Sequence, residues 1–203
     1  MVKYIFFDMG STLIDELISD GKRIADTLMQ ANAPTEEDFR GEMARNYRKN
    51  LDGYKQALAA FGLKKVLWDC GGERLYPDCA AVLAELAAKY HLGIIANQPT
   101  GSEQRLEAFG IRQYFDVVAA SAEVGFAKPD PRIFETALSK ADCAPSECVM
   151  VGDRLDNDIA PAAALGMHTV WIKQGWGALG DVDLLAAKPD FVAEDLTDLL
   201  KYL

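Results

Sequence analysis

Lys3-Tyr4-Ile5-Phe6-Phe7-Asp8-Met9-Gly10-Ser11-Thr12-Leu13 is the stretch from which the fold is read. Tyr4 to Phe7 is a short apolar run of aromatic and β-branched side chains, the composition of a strand buried on both faces. It delivers the chain into Asp8, and the small residues Gly10, Ser11 and Thr12 form a turn directly afterwards. A carboxylate at the carboxyl end of a buried strand lies where open α/β sheets bind their ligands. Held there, it can attack phosphorus or carbon as a nucleophile.

Two textures follow this strand. Residues 14 to 75 are polar and helical, with Leu17, Ile24, Leu28 and Met29 at helical spacing, a capping-box-like start at Thr35, and a third helix from Tyr54 to Phe61 stopped by Gly62. No strand is read in this block. After Tyr76-Pro77 the chain alternates. Strands are expected at Leu92–Ala96, Val117–Ala119, Cys148–Val151 and His168–Ile172, with an edge strand at Phe191–Ala193. Helices are expected at Ala80–Tyr90, Glu103–Phe109, Pro131–Lys140 and Ile159–Leu165, with a terminal one at Leu196–Leu203. Short connections between them predict an α/β fold, a Rossmann-like, mostly parallel sheet with helices on both faces. The helical block is then an insertion: a core of residues 1–13 and 76–203, and a helical cap of residues 14–75.

Composition narrows the function classes. The chain has 203 residues and a formal charge of −10, which argues against binding a phosphate backbone, since that needs clustered Lys and Arg. Arg45 to Lys49 is interrupted by Asn46 and Tyr47 and reads as a solvated helix face. Cys70, Cys79, Cys143 and Cys148 form no Cys-x-x-Cys pair and have no zinc spacing with His91 or His168. They read as free thiols of a reducing compartment. The first apolar run is too short for a signal peptide, and no stretch reaches the ~20 apolar residues of a membrane span. The expected setting is the cytoplasm, with no nucleic-acid or membrane partner; the sequence leaves the oligomeric state open.

Three polar groups follow predicted strands: Asp8, the run Gly152-Asp153-Arg154-Leu155-Asp156-Asn157-Asp158, and Lys128 in Gly-Phe-Ala-Lys-Pro-Asp-Pro. One sheet edge would gather them. Converging acids repel unless a divalent cation neutralises them, and all-oxygen ligation favours Mg²⁺. A lysine beside them can hold a phosphate or restrain the nucleophile. Each piece alone has a plainer reading, as a turn, a helix start or a cap.

Together these residues resemble the haloacid dehalogenase superfamily, in the branch with a helical cap inserted after the first motif. The resemblance implies that Asp8 is the nucleophile and becomes an aspartyl phosphate. The carboxylates of Asp8 and Asp153 and the carbonyl of Gly10 would hold Mg²⁺, with Asp158 supporting the metal from farther out. Lys128 would steady the phosphoryl group and Asp8. Leu92 to Asn97 matches the second motif, so Gly10, Ser11, Asn97 and Lys128 would form the phosphate cradle, with Asp8, Lys128 and Asn97 catalytic.

Two positions depart from the pattern. Phosphatases of this family usually carry an acid two places after the nucleophile, where this chain has Gly10. The second motif usually ends its strand with Ser or Thr, where this chain has Ala96, leaving the Asn97 amide to supply part of the phosphoryl contact. Loss of a proton donor is typically worth ~10²–10⁴-fold and matters least for good leaving groups such as acyl phosphates. The expected activity is therefore a Mg²⁺-dependent hydrolase of small phosphorylated metabolites, weak on poor leaving groups. The alternatives are a catalytically impaired phosphate-binding or regulatory protein and a 2-haloacid dehalogenase. The last needs no metal, so Asp153 and Asp158 would have nothing to bind. Asp15, Glu16 and Asp20 read as solvated face, with Asp15 as a candidate substitute acid. Trp171, Trp176 and the Gly175–Gly180 segment read as core edge or surface loop.

Overall fold

All 203 residues are described by a computed structural model. The first strand, β1 (Tyr4–Phe7), is central in a six-stranded parallel sheet. The others are β4 (His91–Ala96), β5 (Val117–Ala120), β6 (Cys148–Gly152), β7 (His168–Ile172) and β8 (Phe191–Ala193), in the order β5-β4-β1-β6-β7-β8. β8 is the edge strand, as expected. Each strand of the centre feeds both helical layers, because successive side chains point to opposite faces. Tyr4 and Phe6 enter the core with Ile95 and Met150, whereas Ile5 and Phe7 enter the other with Ile94, Val149 and Val151.

The chain leaves β1, builds β4 and β5 on one side, then crosses back to lay β6, β7 and β8 on the other. The strand order therefore reverses beside β1, between β1 and β6, and a crevice opens at the carboxyl ends of such strands. Phe7 is level with Ile94 of β4 and Val151 of β6. Asp8, Asn97 and Asp153 consequently emerge close to one another as their strands end.

Residues 14–75 carry three helices, α1 (Leu17–Leu28), α2 (Glu36–Tyr47) and α3 (Gly53–Phe61). Thr35 and Asp52 cap α2 and α3, accepting from the Asp38 and Lys55 amides. These helices close on their own core of Ile24, Phe39, Met43, Tyr47, Tyr54, Ala57 and Leu58. One feature was not anticipated. Ile14–Asp15 (β2) and Arg74–Leu75 (β3) pair antiparallel where the block leaves and rejoins the sheet. Two residues per strand are too few for any alternation to register.

The remaining helices are α4 (Cys79–Ala87), α5 (Ser102–Ala108), α6 (Ser121–Val124), α7 (Pro131–Ala141), α8 (Ala160–Ala164) and α9 (Leu199–Tyr202). The expected helix at Ile159–Leu165 starts later, because a wider π-type turn, Leu155–Ile159, precedes it. The terminal helix is likewise shortened by a 3₁₀ turn at Leu196–Asp198. No helix is long and apolar enough to cross a membrane.

Candidate active site

Asp8 extends the β1–β6 ladder by one step, its amide donating to the Val151 carbonyl at 2.9 Å. That bond fixes where the carboxylate leaves the sheet. The chain then folds back at once: Leu13 and Ile14 both donate to the Met9 carbonyl at 2.9 Å, and Ser11 adopts a left-handed φ of 54°. The Asp8 carboxylate meets Lys128, whose Nζ lies 2.8 Å from Asp8 Oδ1 and 2.6 Å from Asp158 Oδ1. The lysine side chain is 1% exposed, so its charge faces the crevice acids rather than bulk solvent.

Asp153 and Asp158 reach the same place from the turn after β6. Asp158 Oδ2 accepts from the Arg154 amide at 2.9 Å, and Thr12 Oγ1 lies 3.4 Å from Asp153 Oδ1. The Asp153 carbonyl accepts from Trp171 Nε1 at 2.7 Å. Two glycines make room. A Cβ on Gly152 would run into the Asp158 carboxylate, and one on Gly177 would run into Asp153.

Ligand oxygens of Asp8, Asp153 and Asp158 all lie within 4.8 Å of one another. Three carboxylates lie around one ammonium, which pairs with two of them, so negative charge is in excess. Burial pushes Asp153 well above the usual carboxylate range, and the nearby Asp158 and Asp8 push it further. Burial also lifts Asp158, to about 6, against the pull of Lys128. For Lys128, burial opposes the charge, but Asp158 and Asp8 outweigh it and hold its pKa above the ordinary value. A cation placed among these oxygens would relieve the excess negative charge, and an all-oxygen donor set suits a hard divalent ion.

The structure thus brings together Asp8, Lys128, Asp153 and Asp158. Asn97 meets the Lys128 peptide with both ends of its amide. Its Oδ1 accepts from the Lys128 amide at 2.7 Å and its Nδ2 donates to the Lys128 carbonyl at 2.9 Å. The side chain clamps the peptide that carries the lysine. Ser11 turns its hydroxyl towards Glu16 Oε2, 3.5 Å away.

The acids just past the first turn are not a solvated face. Asp15 accepts from Arg74 Nη2 at 3.0 Å and from the Leu17 amide at 2.9 Å, which commits it to β3 and the start of α1. Asp20 is buried, ion-paired with Arg23 and accepting from Trp176 Nε1 at 2.6 Å. Glu16 points into the crevice. Burial first, then Asp8 and Glu73, raise its carboxyl to about 7, while Arg105 and Arg23 pull the other way. Arg105, on α5, is 2.5 Å from Glu73 Oε2 and 3.7 Å from Glu16 Oε1. The sequence places Glu16 on a solvated face and singles out neither Arg105 nor Glu73, since what sets them apart is contact between distant segments.

The Gly175–Gly180 segment is also more than a surface loop. Trp176 stacks on Tyr47 of α2 with ring centroids 5.7 Å apart, and Asn50 exchanges hydrogen bonds with the backbone of Asp181 at 2.7 and 2.9 Å. These contacts join the helical block to the sheet side of the crevice.

Comparison with known proteins now decides the family. The signature of the haloacid dehalogenase-like hydrolases matches residues 2–166. The chain belongs to that family. This hydrolase is 32% identical over 199 residues to a glyceraldehyde 3-phosphate phosphatase of Methanothermobacter thermautotrophicus, covering 85% of the chain and 86% of that protein. It is 31% identical over 219 residues to the pyrophosphatase PpaX of Bacillus velezensis, covering 98% and 95%. Among solved structures, the hydrolase superimposes on a haloacid dehalogenase-type phosphatase from Thermococcus onnurineus with a TM-score of 0.68 and 25% identity, over 99% of the chain and 97% of the other.

Proposed function

We propose that this protein is a Mg²⁺-dependent phosphatase of small phosphorylated metabolites that works through an aspartyl phosphate on Asp8. The observation that carries the reading is the convergence of Asp8, Asp153 and Asp158, with oxygens within 4.8 Å of one another, beside a lysine ion-paired with Asp8 and Asp158. Cleavage of a carbon–halogen bond would leave two of those acids without purpose, and buried charge without a partner is costly. The phosphatase names of the relatives in the archaea and Bacillus agree with this choice.

Asp8, Asp153 and the Gly10 carbonyl would hold the Mg²⁺, with Asp158 behind them; bound there, the ion supplies charge neutralisation for a phosphoryl group and the acids that face it. Asp8 attacks phosphorus with the carboxylate oxygen not engaged by Lys128. The ammonium of Lys128 keeps the nucleophile in place and presents positive charge to the phosphoryl oxygens. Asn97 acts one step removed, by fixing the Lys128 peptide. Residues 14–75 act as a cap over the core of residues 1–13 and 76–203, admitting substrate when the Trp176 and Asn50 contacts part and excluding water when they re-form. A small substrate suits so close an approach of cap and core. The four free cysteines suit a reducing setting, the cytoplasm.

A panel of phosphorylated metabolites with Mg²⁺ tests the reading. Asp8→Asn should cut turnover on the order of 10⁴-fold or more, since an amide cannot be this nucleophile, and should abolish trapping by beryllium fluoride. Activity surviving in a folded Asp8→Asn protein would show that the reaction does not pass through Asp8. Saturable metabolite binding without turnover in the wild type would turn the reading into that of a binding protein.

A further inference from the structure

We propose that the Glu16 carboxyl is the proton donor and acceptor for phosphoryl transfer at Asp8, filling from the residue before α1 the space beside the nucleophile that Gly10 leaves open. The inference rests on the phosphatase reading and adds to it the group that makes poor leaving groups accessible. A Cβ built on Gly10 would lie 2.6 Å from Glu16 Oε1 and 2.7 Å from Oε2. The Glu16 carboxylate therefore occupies the volume that a side chain at position 10 would take, two residues along the chain from Asp8.

Elimination among the acids of the crevice leads to the same residue. Asp153 and Asp158 are buried around Lys128 and the candidate cation position. Asp15 is held by Arg74, Asp20 by Arg23 and Trp176, and Glu73 by Arg105 and by Trp68 Nε1 at 2.7 Å. Outside the cluster around Lys128, Glu16 is the acid of the crevice left without a short partner: it meets Ser11 Oγ at 3.5 Å and Arg105 Nη2 at 3.7 Å. Its side chain keeps 22% exposure, so it can meet a bound ester. Charged groups facing it are Asp8 and Glu73 on one hand and Arg105 and Arg23 on the other.

The chemistry balances. Asp8 forms a bond to phosphorus as the bond from phosphorus to the ester oxygen breaks, and the electron pair stays on that oxygen. The proton of Glu16 passes to it, releasing a neutral alcohol and leaving Glu16 as carboxylate. Water then attacks the aspartyl phosphate and gives its proton to Glu16; the Asp8–phosphorus bond breaks, returning the Asp8 carboxylate and inorganic phosphate.

The test compares leaving groups in the first turnover, where release of the alcohol or acid is separated from later hydrolysis. Acetyl phosphate leaves as a carboxylate that needs no proton; glyceraldehyde 3-phosphate leaves as an alkoxide that does. With Mg²⁺, wild type should cleave both. Glu16→Gln should slow first-turnover cleavage of glyceraldehyde 3-phosphate by ~10²-fold or more, and of acetyl phosphate by less than about tenfold. Gly10→Asp alone should bring little gain, because its side chain would displace the flexible Glu16 carboxylate and exchange one acid for another. Gly10→Asp combined with Glu16→Ala should cleave the alkyl ester selectively faster than Glu16→Ala alone, which settles the matter even if Glu16→Gln folds poorly. Equal losses on both substrates, no loss on either, a wild type confined to acetyl phosphate, or no selective gain in the double variant would overturn the role of Glu16 and leave the phosphatase intact. A wild type with no Asp8-dependent cleavage of either substrate would overturn the phosphatase reading and this role with it.

Discussion

The acids that follow β6 and the acids around the start of α1 face one crevice but are held there by different means. Asp153 and Asp158 are 4% and 0% exposed; Asp153 directly follows β6, with its carbonyl held by Trp171 Nε1, and Asp158 is held by the Arg154 amide and the Lys128 ammonium. Glu16 hangs from the N-terminal end of α1, its side chain 22% exposed, without a partner closer than 3.5 Å. The first set is fixed by the end of β6 and the turn that follows it. The second is fixed by how the block of residues 14–75 sits on the sheet. A phosphatase needs both kinds: rigid charge to hold a phosphoryl group, and an uncommitted carboxyl to move a proton.

The largest consequence of this division lies in the rigid set. Lys128→Met removes the one cation among three buried or half-buried acids. Breaking a buried pair leaves uncompensated charge and typically costs ~3–5 kcal/mol. We expect a loss of that size in denaturant unfolding of the metal-free protein, partly recovered by millimolar Mg²⁺. A loss below about 1 kcal/mol would mean that the acids are neutral when unpaired and that the lysine is not what holds them.

Next comes the metal. Asp153→Asn should weaken Mg²⁺ binding by at least about tenfold in calorimetry, because a hard cation exchanges a carboxylate oxygen for a weaker amide oxygen. The fold should be undisturbed, since the amide still reaches Thr12 Oγ1. Equal affinity in both proteins would remove Asp153 from the ligand set and leave the excess charge of the cluster unexplained.

The rigid set was also the part that could be read in advance. β1, β7 and β8 fall at Tyr4–Phe7, His168–Ile172 and Phe191–Ala193, as their apolar runs require, and Asp8 and Asp153 follow strands in the sequence itself. Parallel register then carries sequence position into space with little freedom. Lys128 was found by its place beyond β5, although its contacts with both Asp8 and Asp158 depend on the fold. What the sequence hid depends on contacts between distant segments. Asn97 lies at the end of β4, where a polar side chain invites a ligand, but the Lys128 peptide lies opposite and takes both ends of its amide. The periodicity of α1 marks a helix without saying which way its first turn faces, so Glu16 and Asp20 looked like solvent-facing acids. The two-residue strands β2 and β3 carry no periodicity at all.

Asn97 offers a smaller effect on the same theme. Asn97→Ala deletes two hydrogen bonds to the Lys128 backbone, each worth ~0.5–1.5 kcal/mol. We expect ~1–3 kcal/mol of destabilisation and a fall in kcat with little change in KM, because the lysine loses its placement rather than its charge. A rise in KM alone would point instead to direct contact between the amide and substrate.

The smallest effect tests the looser region. Trp176 contributes two separable contacts to the helical block: its ring stacks on Tyr47, and its Nε1 donates to Asp20 Oδ2 at 2.6 Å. Trp176→Phe keeps an aromatic face and deletes the donor. Hydrogen bonds to charged groups are worth ~1.5–3 kcal/mol, but Asp20 retains its ion pair with Arg23 and the site is only partly buried, so a cost of ~1 kcal/mol is expected. Trp176→Ala also removes the stack, adding roughly 0.5–1.5 kcal/mol for the aromatic pair besides the lost apolar burial. Denaturant midpoints at unchanged slope would measure both. If Trp176→Phe matches wild type while Trp176→Ala does not, apolar stacking joins the block to the sheet and Asp20 is satisfied by Arg23 alone. If the two variants lose equally, the indole N–H to Asp20 is all that Trp176 adds to the attachment, beside the Asn50–Asp181 hydrogen bonds and the β2–β3 pair.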